Sequence, residues 1–289
     1  MNLAFFFKQA EKGSGAERKV LLFSALTLSV IMVALFGEFI CPYDPYMQDY
    51  QAALQPPGME HIMGTDRYGR DMLSRVIVGA QISVFSALAV VFLIAAIGTC
   101  VGMVCGYRGG ILDNVVMRFS DICLAFPGLI FAMAIAAVLN GGVQNAVLAL
   151  AAISWPKYAR LVRSQTLALK EQPFMMAAQM AGNTSVQIML RHILPNCMGT
   201  VLVTAVLDIG TMMMEIAALS FLGLGAKPPA AEWGSMMSSG RSMLQTYPWV
   251  VLSPGLGIFI AVSIFNVWGD ALRDYMDPSR TGRIRRKER

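Results

Sequence analysis

Long apolar runs alternate with short polar segments along almost the whole chain. Six such runs fall at 20–41, 78–106, 115–139, 146–162, 197–224 and 249–268. Because a helix of about 20 apolar residues crosses the hydrocarbon core of a bilayer, the pattern predicts about six transmembrane helices. Charged residues make up 14% of the chain, well below the roughly 25% of soluble domains. The fold class that we expect is an all-α integral membrane protein.

Basic residues mark the segments that we expect in the cytoplasm. Lysine and arginine precede the first run within residues 1–19, and the segment after the fourth run is the most basic of those between runs. Because cytoplasmic loops carry an excess of positive charge, both termini and this segment are expected in the cytoplasm. A helix at 3–10 would lie on the membrane surface, and the basic tail at 278–289 would face lipid headgroups. The net charge of +5 is therefore no reason to expect nucleic acid binding.

The loop at 172–196 has helix signals of its own. Pro173 suits a first helical position, and the small residues that follow lead to a break at Gly182. Asn183-Thr184-Ser185 then suits a helix cap, and a second periodic segment runs up to Pro195, which we expect to end it. The loop is predicted to form two short helices. An ordinary interfacial helix is the alternative interpretation.

Glycines in the second run predict close helix packing. Gly98, Gly102 and Gly106 recur every four residues, so they lie on one helix face and would let a neighbouring helix approach closely. This ridge implies packing and no chemistry.

Prolines and one charge pair add detail to the third and fourth runs. Pro127 predicts a kink in the third run, and Pro156 predicts a break in the fourth. Arg118 and Asp121 stand three residues apart, so we expect them to pair on one face of the third helix.

Two acidic residues lie within the fifth run. Asp208 and Glu215 are seven residues apart and share one helix face. Acidic groups at membrane depth are costly and face protein or water. They would either line a translocation pathway or bond neighbouring helices. The adjacent Met212-Met213-Met214 would suit a soft metal, although methionine also fills gaps in helix packing and consecutive residues point in different directions.

The two longer connections have distinct polar patterns. Acidic and basic residues alternate in the first connection, where they would pair locally and orient the next helix; they are Asp66, Arg67, Arg70, Asp71 and Arg75. The second connection contains Pro228-Pro229 and Trp233, which predict a short surface or re-entrant helix.

Catalytic arrangements are absent from the sequence. It contains no phosphate-binding Gly-x-x-x-x-Gly-Lys-Ser/Thr loop, no His-Glu-x-x-His and no Gly-x-Ser-x-Gly. The histidines are His61 and His192, and the five cysteines show no zinc-binding or redox spacing. We therefore expect no enzyme, no cofactor and no bound metal.

The spacing of Ala177-Ala178, Gly182 and Leu194-Pro195 resembles the loop by which permease subunits of bacterial ABC importers dock onto their ATPases. The family pattern is Glu-Ala-Ala, three residues, Gly, nine residues, then Ile-x-Leu-Pro. Met176 stands at the Glu position and His192 at the Ile position. Stretches at 63–75, 215–225, 228–234 and 266–274 are similar to the branch that imports dipeptides, oligopeptides and nickel.

The resemblance implies a type I ABC importer permease fold with a cytoplasmic coupling helix, in the bacterial cytoplasmic membrane. It divides the chain into 1–77, with the first span and outer loop, a permease core at 78–277, and the tail at 278–289. The ATPase-coupling residues that it implies are Met176, Ala177, Ala178, Gly182, Leu194 and Pro195.

The same resemblance implies partners and cargo. The partners are a second homologous permease, two cytoplasmic ATPases that hydrolyse ATP, an extracytoplasmic substrate-binding protein and membrane lipid. The first connection would either contact that binding protein or only orient the next helix. The expected cargo is a dipeptide or oligopeptide, with nickel or a chelated metal as the alternative. A stand-alone secondary carrier or channel is the alternative from another class, and it would be favoured by an inverted repeat, which the sequence does not display.

Overall fold

A computed structural model describes residues 14–276, with side chains from residue 17 onwards. Regular structure in this range is helical, without a β-strand; one isolated bridge joins Thr65 and Asp71. The helix expected at 3–10 and the basic tail at 278–289 lie outside the described residues.

Ten α-helices form the described part of the chain: α1 Ser14–Ile40, α2 Met72–Arg108, α3 Gly110–Ala125, α4 Gly128–Val138, α5 Val143–Lys170, α6 Pro173–Met180, α7 Ser185–Ile188, α8 Leu194–Phe221, α9 Trp233–Gly240 and α10 Trp249–Met276. A π-helical turn, Met189–Ile193, joins α7 to α8 without a break.

Four helical stretches are long and apolar enough to cross a membrane: Glu17–Ile40, Met72–Arg108, Ser185–Phe221 and Trp249–Met276. The pair α3 and α4, which is bent by 95°, would be a fifth span. The fourth predicted run forms most of α5, which has 28 residues but is not in this group. The second half of α5 is too polar for it to count as long and apolar enough to cross a membrane, because it contains Lys157, Arg160 and Arg163.

Helix α2 is the centre of the bundle, with α1, α5 and α8 against it. Its glycine ridge faces α5. A Cβ atom on Gly98 would overlap Tyr158, and one on Gly102 would overlap the backbone of Ala159. The packing role predicted for the ridge is therefore confirmed, because only a residue without a side chain allows this approach.

The prolines behave differently from one another. Pro127 separates α3 from α4 at the 95° bend, as predicted. The breaks predicted at Pro156 and Pro195 are wrong, since each proline lies inside a continuous helical segment. Pro156 is buried in α5, where packing against α2 maintains the helix. Before Pro195, the wider turn lets the Leu194 N–H donate to the Met189 carbonyl, so the helix continues past the proline.

Cross-helix hydrogen bonds identify the two ends of the bundle. Lys170, at the end of α5, donates to the Tyr107 carbonyl at the end of α2 over 2.8 Å. The loop at 172–196, which we call the coupling loop, follows α5 and therefore lies at this end, the coupling-loop end of the bundle. At the opposite end, the Trp233 indole of α9 donates to the Val76 carbonyl near the start of α2, again over 2.8 Å. The connections 41–71 and 222–248 meet there.

Candidate functional site

The first helix of the coupling loop, α6, is only eight residues long and has defined ends. It begins at Pro173 and is closed by Gly182, whose φ of +79° is a left-handed conformation. The Asn183 backbone and side-chain N–H groups both donate to the Ala178 carbonyl, at 3.3 and 2.9 Å. No atom lies within 4 Å of a Cβ built on Gly182. Within this chain, glycine is therefore required by backbone conformation and not by close packing.

A capping box starts the second helix of the loop. The Thr184 hydroxyl accepts from the Gln187 N–H at 3.3 Å, and the Gln187 side-chain oxygen accepts from the Thr184 N–H at 2.8 Å. Both predicted helices and the cap between them are confirmed. Because each end is capped locally, the loop retains a defined shape outside the bundle.

One face of the loop anchors it to the bundle. Its buried residues belong to the hydrophobic core of the protein, and they are Met175, Ala178, Ile188, Met189 and Ile193. The π-helical turn contacts both α2 and α8. A movement of the loop is therefore coupled by packing to two long helices.

The other face of the loop exposes large apolar side chains. We call this surface the docking face; it comprises Phe174, Met176, Met180, Val186 and Leu190. Met176 is 60% exposed and Met180 is 88% exposed. They are four residues apart on α6, so they share one helix face. Val186 lies on α7 and Leu190 in the π-helical turn that continues it. Apolar surface grouped in this way is typical of an interaction site.

The six predicted coupling residues do not form one contiguous surface. Met176, Ala177, Gly182 and Pro195 are exposed, whereas Leu194 is half-buried. Ala178 is buried against the bundle. Leu194 and Pro195 lie beyond the π-helical turn, at the start of α8.

The two acidic residues of α8 have different surroundings. Asp208 is buried, and its carboxylate accepts hydrogen bonds from Lys157 Nζ at 2.5 Å and from the fully buried Tyr158 hydroxyl at 2.9 Å. Glu215 is half-buried and has neither a hydrogen bond nor a salt bridge to any described residue. Asp208 thus joins α8 to α5, while Glu215 is left without such a partner in this part of the chain.

The contacts of Lys157 and Tyr158 with Asp208 were not predicted from the sequence, where both residues lie towards the end of the fourth apolar run. A buried carboxylate in an apolar span requires a donor. Lys157 is the first cation after the fourth apolar run begins, which was the signal available in the sequence.

Helix α3 is joined to α5 by two acid–base pairs. Arg163 donates two hydrogen bonds to Asp113, at 2.5 and 2.6 Å, and Arg160 pairs with Asp121. The predicted pairing of Asp121 with Arg118 is therefore wrong. A local pair three residues apart contributes only about 0.2–0.5 kcal/mol, so packing of α3 beside α5 decides the partner.

Polar residues at the opposite end form a buried network. Asp66 accepts from the Arg70 guanidinium at 2.7 Å and lies 3.9 Å from that of Arg75. Asp71 caps α2 through the Ser74 N–H at 2.7 Å and contacts His61 at 2.9 Å. The predicted local pairing of this connection is confirmed, and it orients the start of α2.

The second connection contains the predicted short helix, α9. Its cap, Glu232, is fully buried and accepts from the Gly234 and Ser235 N–H groups at 2.8 Å each. The Ser83 hydroxyl of α2 lies 3.4 Å from the same carboxylate. Glu232 therefore stabilises α9 and its contact with α2.

The described residues contain no group of three or more His, Cys, Asp or Glu side chains arranged to hold a metal ion. In α8, Met212 and Met213 are buried whereas Met214 is 54% exposed. The three sulfur-bearing side chains therefore do not share one surface.

Comparisons with known proteins agree with this architecture. Residues 98–282 match the family described as binding-protein-dependent transport system inner membrane component. Residues 18–57 match the N-terminal TM domain of oligopeptide transport permease C.

Named relatives and a solved structure are also similar. The chain is 44% identical over 254 residues to the glutathione transport system permease protein GsiD of Escherichia coli O6:K15:H31 (strain 536), covering 88% of this chain and 84% of that protein. The same figures hold for GsiD of Shigella boydii serotype 4 (strain Sb227). A chain of the inward-facing MetNI methionine ABC transporter matches with a TM-score of 0.55 at 22% identity, over 71% of this chain and 97% of that one.

The solved structure supports the fold alone, whereas the family match and the 44% identity extend over most of the chain. Helical spans, a capped loop between α5 and α8, and both family matches are consistent with one another. The chain therefore belongs to the binding-protein-dependent transport system inner membrane component family, as a permease subunit of the peptide and nickel branch of ABC importers.

Proposed function

We propose that this permease forms half of a translocation pathway for small peptides of the glutathione class and is driven by cytoplasmic ATPases that bind its coupling loop. A second homologous permease would form the other half, and an extracytoplasmic binding protein would deliver the cargo. The observation that carries the ATPase contact is the docking face, an apolar surface that this chain leaves uncovered.

The docking face suits an ATPase groove by its chemistry. Met176 replaces the glutamate of the family pattern, so the face is apolar where the pattern has a charge. Burying Met176 and Met180 on a partner would remove apolar surface from water, which contributes about 25 cal/mol per Å². We therefore expect the association to depend little on salt at this position.

Movement would reach the membrane spans through packing. Met175, Ile188 and Ile193 are buried in the core of the bundle, and the segment Ser185–Phe221 is continuous from the loop through α8. Closure of the ATPases on ATP would press on α6 and displace α5 and α8 as connected bodies. Alternating access of the pathway would follow, with the loop end on the cytoplasmic side together with both termini.

The cargo is inferred from similarity. The relatives at 44% identity are named as glutathione transport permeases, and the match at 18–57 is to an oligopeptide permease domain. Glutathione is a tripeptide, so both descriptions agree on a small peptide.

The test is copurification with an affinity tag on this chain, followed by peptide uptake into vesicles. Wild type should bring down a second permease and two ATPases, and should take up glutathione only with ATP and the binding protein. The double variant Met176→Arg with Met180→Arg should lose the ATPases and retain the second permease, because it places two cations on the docking face.

The matched control makes the same substitutions at the opposite end, at the exposed Met47 and Met59. Met47→Arg with Met59→Arg should leave the ATPases bound. Normal ATPase association in the Met176 and Met180 variant would show that the docking face does not bind the ATPases. Peptide uptake by the chain alone, without ATP, would instead identify a secondary carrier.

A further inference from the structure

A cleft of about 450 Å³ lies at the end of the bundle opposite the coupling loop. Its walls are the first connection with the start of α2 on one side, and the end of α8 with α9 and its preceding turn on the other. Small-molecule sites have volumes of about 300–1,000 Å³. The cleft therefore has the size of a small ligand site.

Positive charge dominates the walls of the cleft. Arg67, Arg70, Arg75 and Lys227 line it, and no Asp or Glu of the described residues does. Asp66 lies behind the wall and pairs with Arg70 and, at 3.9 Å, with Arg75. Arg67 and Lys227 form no salt bridge with a described residue and are exposed. The cleft is thus left with uncompensated cationic groups.

The arginines are held in position by one aromatic ring. The guanidinium groups of Arg67 and Arg70 lie 4.9 and 4.7 Å from the centroid of the Tyr68 ring. Cation–π contact of this kind favours a fixed orientation of the guanidinium plane. The Tyr68 ring therefore supports the Arg67 guanidinium on the cleft wall, where its N–H groups can donate hydrogen bonds.

An unused hydroxyl gives independent evidence for a ligand. Ser220 lines the cleft, is 2% exposed, and its Oγ has no hydrogen-bond partner among the described residues. The hydroxyls of Ser235, Ser238 and Ser239 on the same wall all donate to backbone carbonyls. A buried hydroxyl without a partner costs about 1–3 kcal/mol. Because the Ser220 Oγ exposes less than 1 Å², a ligand oxygen would satisfy it after a small movement of the cleft wall.

We propose that this cleft binds a carboxylate of the peptide cargo, with Arg67 and Lys227 as the charged donors and the Ser220 hydroxyl as a further donor. Charge-assisted hydrogen bonds to a carboxylate are roughly twice as strong as neutral ones, so a free carboxylate is favoured over an amide or ester. The inference rests on the proposed peptide cargo. It adds a cargo contact within this permease to the selection made by the binding protein.

Cysteine labelling in the assembled transporter tests the proposal. Ser239 lines the cleft and is exposed, so Ser239→Cys reports occupancy by its reaction with a membrane-impermeant maleimide. The complex is held in nanodiscs without the binding protein, and labelling is counted as the excess over the complex with native Ser239. The probe is S-methylglutathione, which has both carboxylates and no free thiol.

The probe should slow labelling about tenfold when it is in tenfold excess over its dissociation constant. Its diester, which lacks both carboxylates, should give no protection. Arg67→Gln with Lys227→Gln should abolish protection by the probe. Arg241→Gln is the matched control, because Arg241 is an exposed arginine at the same end that lies over the Phe221 ring, outside the cleft. This variant should retain full protection.

The proposal would be overturned by equal protection by the diester, by protection that survives in the Arg67 and Lys227 variant, or by no protection by the probe. Protection by the binding protein alone, without peptide, would assign the cleft to protein docking and would also overturn it. ATP-driven glutathione uptake by wild type is measured in parallel. If glutathione is taken up but the probe does not protect the cleft from labelling, only the proposed carboxylate site is refuted. If wild type does not take up glutathione, the proposed function is refuted.

Discussion

Two groups of residues at opposite ends of the helix bundle differ in whether the chain itself satisfies them. At the end opposite the coupling loop, which is the outer end in the orientation predicted from the sequence, the Asp66, Asp71 and Glu232 carboxylates are buried and hydrogen-bonded within the chain. At the coupling-loop end, Met176 and Met180 are apolar and exposed. The carboxylates at one end thus have partners within the chain, whereas the apolar side chains of the docking face are left exposed.

This difference shows which contacts the chain completes by itself. Breaking a buried ion pair leaves an uncompensated charge and costs about 3–5 kcal/mol, so the outer network has a structural role. Exposed apolar side chains contribute little to the isolated chain and gain free energy only when a partner covers them. Substitutions at the outer end should therefore lower stability, whereas those on the docking face should lower association.

The largest expected effect is at Asp66. Asp66→Ala leaves the buried Arg70 guanidinium without its carboxylate, and should lower the free energy of unfolding by about 3–5 kcal/mol. Denaturant titration of the purified chain in detergent measures this free energy of unfolding.

A double variant separates charge from packing at this position. Asp66→Ala with Arg70→Met removes both charges, so it should recover part of the lost stability. A loss below about 1 kcal/mol in the Asp66 variant would mean that the outer end does not depend on its buried charges.

The next effect is expected at Glu232. Glu232→Ala removes the acceptor of two backbone N–H groups, those of Gly234 and Ser235. The free energy of unfolding should fall by about 1–3 kcal/mol, measured in the same titration. Glu60→Ala is the control, since Glu60 is an exposed glutamate at the same end and its loss should change stability by less than about 0.5 kcal/mol. Equal effects of the two variants would contradict the capping role.

The smallest effect on stability is expected in the coupling loop. Gly182→Ala forces a side chain into the left-handed conformation at φ +79°, and should destabilise the end of α6 by about 1–2 kcal/mol. Hydrogen exchange at the Asn183 amide, which donates to Ala178, should accelerate while the global unfolding midpoint changes little.

Asparagine provides the graded comparison at Gly182. Gly182→Asn should have a smaller effect than Gly182→Ala, because asparagine tolerates this conformation better. If both variants instead lower the global midpoint as much as Asp66→Ala does, the loop is part of the folding core and the contrast between the two ends fails.

Local features were predictable from the sequence. Pro173, Gly182 and Thr184 define the helix ends of the coupling loop, because capping and left-handed conformations depend on residues a few positions apart. The ridge of Gly98 and Gly102 was predictable for the same reason, since spacing by four places residues on one helix face. The apolar runs likewise predicted most of the helices.

Tertiary structure alone decided which polar side chains meet. Asp208 lies 51 residues from Lys157 along the chain and 50 from Tyr158, and Asp121 lies 39 from Arg160. The periodicity of a single helix cannot predict contacts between residues so far apart in the sequence, because these contacts depend on how α5 packs against α3 and α8. The continuity of the helices through Pro156 and Pro195 was decided in the same way, since packing and a π-helical turn outweighed the local preference of proline to end a helix.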